Sequence, residues 1–187
     1  MRYYPSMFNL PKSSTGYTLL ELMITLTVAG ILMGVAVPSF TSVIDSNRLT
    51  TYANDLVTSL NFARSEAIKR NLRVSLCKSS TGSSCNISNN WAQGWIVFTD
   101  PNNNGTYNSS NTLLRVQANK PNTTTMVGDT SVANYISYMA SGQSALSSGA
   151  FQAGVIKICD ERIGNVGINV VLNSVGRVST QNNIACP

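Results

Sequence analysis

Gly16-Tyr17-Thr18-Leu19-Leu20-Glu21-Leu22 opens the stretch that decides this protein's fold. From Tyr17 to Val37 the chain reads YTLLELMITLTVAGILMGVAV, almost continuously apolar. About 21 residues of helix span roughly 30 Å, the hydrocarbon thickness of a bilayer. The sixteen residues before it are polar, with Arg2 and Lys12, and end in Ser-Ser-Thr-Gly. A secretory signal peptide or a simple anchor is the plain alternative. Two features argue against it. No A-x-A-like cleavage site follows the apolar run; Pro38-Ser39-Phe40 leads straight into another helical pattern. And Glu21 sits one turn inside the run. An acid at the centre of a membrane helix costs about 2.5–3.5 kcal/mol on insertion scales, less near an end. A cut after Gly16 would place a new amine on Tyr17, one helical turn from Glu21. Such an amine and carboxylate, paired between adjacent subunits, would neutralise each other in an apolar filament core. Gly30 and Gly34 form a small-x-x-x-small pair that permits close helix approach or arises by chance. Pro38 lacks a backbone donor and is expected to kink or loosen the helix.

From Phe40 to about Leu72 the pattern becomes amphipathic. Leu49, Ala53, Leu56, Leu60, Ala63 and Ala67 recur at steps of three and four, so one stripe should pack on a globular head. Arg64, Lys69, Arg70 and Arg73 crowd the end of this helix. Compensation of the helix dipole explains them, and a binding patch is the competing reading.

Composition removes most enzyme classes. The chain has 187 residues, 13 basic and 8 acidic, and no histidine. Without histidine the commonest general base, the usual triads and most zinc sites are absent. Beyond Pro38 the chain carries 11 basic and 7 acidic residues, a mildly basic balance of +4. That permits anionic partners without demanding them. The acids are scattered; only Asp160 and Glu161 adjoin, and neighbours on a strand point to opposite faces. No carboxylate pair, nucleophile elbow or phosphate loop is found, so no catalytic residue, metal site or cofactor is expected. Cys77, Cys85, Cys159 and Cys186 lack C-x-x-C spacing and read as two disulfides of an exported chain. Three pairings exist. Closing the local loops selects Cys77–Cys85 and Cys159–Cys186.

After Leu72 the signals are β. Strands are expected at Val74–Lys78, Gly94–Thr99, Leu113–Gln117, Tyr135–Ala140, Val155–Cys159, Gly167–Leu172 and Arg177–Ser179. The long breaks are Thr81–Asn90, Asp100–Asn111 and Lys120–Ala133. Asp100-Pro-Asn-Asn-Asn-Gly105 has ligand types at the first, third and fifth places of a calcium loop. The twelfth place is Asn111, where a bidentate Glu is required, so the stretch reads as a tight turn. The fold class is α+β: a long N-terminal helix, half transmembrane and half amphipathic, packed on an antiparallel sheet head.

The stretch from Gly16 to Leu22 resembles the processing site of type IV prepilins and type II secretion pseudopilins. In the head, Trp91-Ala-Gln-Gly94-Trp95-Ile-Val-Phe98, Leu113-Leu-Arg115, Phe151 to Cys159 and Val170-Val-Leu-Asn-Ser-Val-Gly176-Arg177 resemble the GspH/FimT group. The resemblance implies cleavage after Gly16 and N-methylation of Tyr17 by a prepilin peptidase, although Phe is the usual first mature residue. It divides the chain into a leader (1–16), a transmembrane and filament-core helix (17–40), an amphipathic helix (41–73) and a β-rich head (74–187). It implies a single-pass inner-membrane protein with its head in the periplasm, later taken into a pilus or pseudopilus. Its partners would be other minor and major pilins. The leading role is a FimU-like minor pilin that primes assembly at the tip. The alternatives are a FimT-like DNA-binding minor pilin for natural transformation, and pseudopilin H of type II secretion. The DNA-binding branch carries Gly-Arg-x-Arg; here Gly176, Arg177 and Val178 match and Ser179 replaces the second Arg. Lys157, Arg162 and Arg177 are the DNA-contact candidates on that alternative, and a plain turn at Gly176-Arg177 is the bland one.

Overall fold

The computed structural model describes residues 16–88, 90–120 and 123–187, leaving aside the side chains of 37–39. The leader expected over 1–16 therefore lies outside the described residues, apart from Gly16. Among the described residues one helix, α1 (Leu19–Arg70), is followed by eight strands and one short 3-10 turn (Trp91–Gln93). The chain divides into two units, one up to Ser42 and one from Val43 to Pro187.

The first unit is the start of α1. Leu19, Leu20, Ile24, Leu26, Ile31, Leu32 and Val35 are all exposed. Its threonines are satisfied within the helix. Thr25 Oγ1 donates to the Leu22 carbonyl, and Thr27 Oγ1 to those of Met23 and Ile24. Folding hydroxyls back onto the backbone removes their need for water. α1 is the only helix among the described residues long and apolar enough to cross a membrane.

The second unit is two antiparallel sheets that share one core with the rest of α1. The strands are β1 (Val74–Lys78), β2 (Trp95–Thr99), β3 (Leu113–Gln117), β4 (Thr125–Gly128), β5 (Tyr135–Tyr138), β6 (Gly154–Cys159), β7 (Gly164–Leu172) and β8 (Val178–Cys186). They form two four-stranded sheets, ordered β3-β2-β1-β5 and β4-β6-β7-β8. All pairings are antiparallel. Leu49, Ala53, Leu56, Leu60, Ala63 and Ala67 are all buried, as their spacing predicts. They share one core with Leu76 and Val97 of the first sheet and with Ile156, Ile158, Val170 and Leu172 of the second. The helix thus packs against both sheets, where the sequence suggested one. It ends on Asn71, whose positive φ of 50° allows Leu72 N–H to reach the Ala67 carbonyl and Asn71 N–H that of Ile68. This is a Schellman closure, with Asn in the place Gly usually takes.

Two differences from the sequence reading have local causes. β4 falls inside the expected Lys120–Ala133 loop. Its four residues include only one buried side chain, Met126, too short a pattern for alternation to register. β8 extends to Cys186, far beyond Ser179, because a mostly exposed strand carries no hydrophobic alternation to mark it.

β1 and β2, the middle strands of the first sheet, are buried on both faces. Cys77, Ile96 and Phe98 point away from α1 and are covered by Cys85, Tyr107 and Tyr135. The two disulfides join Cys77 to Cys85 and Cys159 to Cys186, and no cysteine is free. The second links the ends of β6 and β8, the strands that flank β7. A Cβ at Gly167 would lie 2.7 Å from Cys186 Sγ, so this bridge needs a glycine beneath it. Lys120 ion-pairs with Asp55 and lies 4.9 Å from the Tyr52 ring centre, tying the chain after β3 to α1. The edge of β5 is closed by Gln152. Its Oε1 accepts from Ser137 N–H, and its Nε2 donates to the Tyr135 carbonyl.

Asp100 holds the loop that covers this sheet. It is fully buried, and its carboxylate accepts from Ser75 Oγ, Asn104 N–H and Gly105 N–H. Both oxygens are committed to the turn, which is what the sequence reading of this segment requires. Asp100→Ala would leave buried donors without acceptors. We expect a loss of about 2–4 kcal/mol in urea unfolding of the detergent-solubilised chain, with Asp100→Asn less affected. A loss below about 0.5 kcal/mol, the range of an ordinary surface change, would show that the loop does not depend on this carboxylate.

Candidate functional site: the helix start and the cationic surface

α1 begins with Thr18 as its N-cap. Thr18 Oγ1 accepts from Glu21 N–H at 3.2 Å, and the Thr18 carbonyl accepts from Leu22 N–H. Glu21 therefore sits at the third helical position, where the exposed backbone donors of a helix start favour a carboxylate. The Thr18-x-x-Glu21 spacing is that of a capping box, a signal legible in the sequence. Tyr17 is 86% exposed, and Glu21 is exposed one turn further on. The geometry presents a single acid, one turn from Tyr17, on an otherwise apolar surface. It offers no acid–base pair of the kind catalysis uses.

The helix-end cations serve the head itself. Arg64 Nε donates to the Gly142 carbonyl and its Nη2 to that of Val175. Arg73 Nη1 reaches Ser137 Oγ and the carbonyls of Ala145 and Leu146. Arg70 pairs with Glu66 at 2.6 Å, and Lys69 with the same carboxylate at 3.8 Å. The Arg70 hydrogen bond, working against burial, holds the Glu66 carboxyl below its ordinary range. Arg64 and Arg73 are loop latches, a role neither reading of the sequence included. Their acceptors are carbonyls more than sixty residues away, which no local pattern reveals.

The three DNA-contact candidates are not gathered into one patch. Arg162 lies between β6 and β7, and Arg177 between β7 and β8, so they stand at opposite ends of β7. Nine residues of strand separate them, about 27 Å at the usual rise. Lys157 lies between, opposite Asn169. Arg162 grips Asp160, with Nε 2.9 Å and Nη2 2.7 Å from Oδ2, while Nη1 donates to Ser46 Oγ. Burial pushes Asp160 up, but these Arg162 bonds outweigh it and the carboxyl lies below its ordinary range. Arg177 is exposed. Its backbone N–H donates to Asn173 Oδ1, and Asn173 N–H to the Arg177 carbonyl. Gly176 completes this turn at φ 78°, with the Gly142 carbonyl 2.3 Å from where a Cβ would be. Gly176-Arg177 is thus the β7–β8 turn.

An N-terminal helix, apolar and exposed at first and then buried in an antiparallel head, defines a pilin-like protein. A family model described as type II transport protein GspH matches residues 52–176, more than half of the chain. The chain belongs to the GspH/FimT family of type IV minor pilins and pseudopilins. A second model, the prokaryotic N-terminal methylation motif, matches residues 11–37. The pilin-like protein PilA1 of Thermus thermophilus is 37% identical over 94 residues. That match covers 49% of this chain and 52% of PilA1, so the chain spans about half the length of this relative. Among solved structures, the type IV minor pilin FimU of Pseudomonas aeruginosa superposes with a TM-score of 0.55 at 20% identity. The match covers 74% of this chain and 92% of FimU. A second crystal form gives 0.52 at 19%. At these identities the likeness is one of fold. Proteins of this family are structural subunits.

Proposed function

We propose that this chain is a FimU-like minor pilin that helps to initiate or cap a type IV pilus at its tip. The observation that carries the reading is the first part of α1: apolar side chains exposed all round, with a single carboxylate at the third helical position. A helix of that kind is stable only in lipid or among similar helices. Before assembly it spans the inner membrane, with the head in the periplasm. A prepilin peptidase removes residues 1–16 and methylates Tyr17. Helix 17–40 then enters the filament core, segment 41–73 carries the head, and head 74–187 meets other pilins. Glu21 pairs there with the amine of a neighbouring subunit. The likeness to FimU, a type IV minor pilin, and the similarity to PilA1, a pilin-like protein, support the pilus over the secretion pseudopilus.

Immunogold labelling of sheared filaments tests the role. Sparse label at one filament end is expected, with surface piliation lost on deletion and restored by the intact gene. Label along the whole filament, or normal piliation with impaired protein secretion, would overturn the proposal.

A further inference from the structure

Lys78 is a buried cation that forms no ion pair among the described residues. It ends β1, is 5% exposed, and its Nζ donates to the Ile87 carbonyl at 2.9 Å. Among the described residues no carboxylate forms an ion pair with it. This is unlike Lys120, whose side chain is also largely buried but pairs with Asp55. An ammonium withdrawn from water with one neutral acceptor is poorly compensated. Burial accordingly pushes Lys78 below its ordinary range.

The lysine is not enclosed. It lines a cleft of about 440 Å³ between the segment that follows Cys85, at Ile87, Ser88 and Asn90, and strand β4. The opposite wall is Met126 and Val127, and Trp91 and Asn134 form the remainder. Val127 and Ile87 are largely exposed, 58% and 71%. β4 is also the outer strand of its sheet, pairing only with β6. No backbone hydrogen bond from a described residue engages its other edge. Three features therefore meet at one place, beside the 3-10 turn Trp91–Gln93 that packs on β4: an ammonium with one neutral acceptor, an apolar rim and a strand edge with no hydrogen-bond partner among the described residues.

We propose that this cleft binds an extended acidic peptide segment of a partner protein, with a Glu or Asp side chain seated on Lys78. The segment lies along β4, as in strand addition to a sheet edge. An apolar neighbour of the acid rests on Val127 and Ile87. The carboxylate supplies the counter-charge that no described residue gives Lys78, and the charge-assisted hydrogen bond gives selectivity for acid over amide. The inference deepens the assembly reading, on which it rests, by naming a partner chemistry. It is measured without filaments, so either can fail alone.

The probes are two blocked peptides, acetyl-Val-Glu-Val-amide and acetyl-Val-Gln-Val-amide. Each is titrated by calorimetry and by NMR into the full chain in detergent micelles. The Glu peptide should bind at least about 10-fold more tightly than the Gln peptide. Lys78→Met should erase that ratio while retaining the melting transition. If Lys78→Met fails to fold, reductive methylation of the unaltered protein replaces it. The Glu peptide should then protect Lys78 from methylation, read by mass spectrometry, and the Gln peptide should not. Equal binding of the two peptides, no binding of either, or methylation of Lys78 unaffected by the Glu peptide would overturn the proposal.

Discussion

A Gly16→Val chain is expected to keep its leader in full, and with it to lose filament assembly. The residue before the cut must fit a peptidase working at the membrane surface, and the family's cleavage site carries glycine there. No described atom of the chain lies within 4 Å of where a Cβ at Gly16 would stand. Valine therefore meets no steric obstacle among the described residues at this position. Any loss of processing reports the peptidase's requirement rather than misfolding. Intact-mass measurement of membrane-extracted protein checks it. The wild-type chain should begin at methylated Tyr17, and the variant at the original terminus, with cleavage reduced at least about 100-fold, in the range of lost transition-state positioning. Normally trimmed, methylated variant protein would remove the processing site from this reading.

Glu21→Ala is the second large effect, and its two consequences run in opposite directions. Removing a carboxylate from an apolar helix makes membrane insertion easier, so the amount of membrane-inserted protein should hold or rise. Incorporation into filaments should fall. If the acid meets a neighbour's N-terminal amine in the apolar core, its loss leaves that amine buried and unpaired. Breaking such a pair costs about 3–5 kcal/mol, more than 100-fold in an equilibrium at about 1.4 kcal/mol per decade. Part of that loss will be relieved by proton release from the amine, so a drop of at least about 10-fold is expected. The ratio of pilus-bound to membrane-bound protein, by immunoblot of sheared fractions, is the measurement. Glu21→Gln separates charge from capping. It retains the helix start, where Thr18 Oγ1 still accepts from the backbone of position 21, and lacks the ion pair. An unchanged ratio in Glu21→Ala would mean that the acid has no such partner.

The buried stripe on α1 shows why much of the fold could be read directly. Leu49, Ala53, Leu56, Leu60, Ala63 and Ala67 repeat with the period of the helix, and burial follows that period because one face must leave water. Strands β1, β2 and β3 were legible for a similar reason, as short apolar runs between turn residues. β4 was not, since its neighbours across the sheet, rather than its own pattern, make it a strand. The start of α1 was legible in its acid and its apolar length. Its Thr18 cap is equally present in the Thr18-x-x-Glu21 spacing.

The cations show the opposite case. Composition establishes that Arg64, Arg73, Lys78, Arg162 and Arg177 exist, and chain position suggests two groups. Their surroundings come from residues distant in sequence. Arg64 meets carbonyls at 142 and 175, and Arg73 those at 145 and 146. Arg162 and Arg177 are parted by the length of β7, and Lys78 is left without a carboxylate among the described residues. The sequence by itself determined an anchored helix with one acid, an amphipathic continuation and a disulfide-bearing β head, because those follow from hydrophobic period and local spacing. Only the tertiary structure decided that the head is two sheets around the helix, and which cations are spent, exposed or buried alone. Charge compensation depends on distances of a few ångströms between segments that the chain order does not bring together.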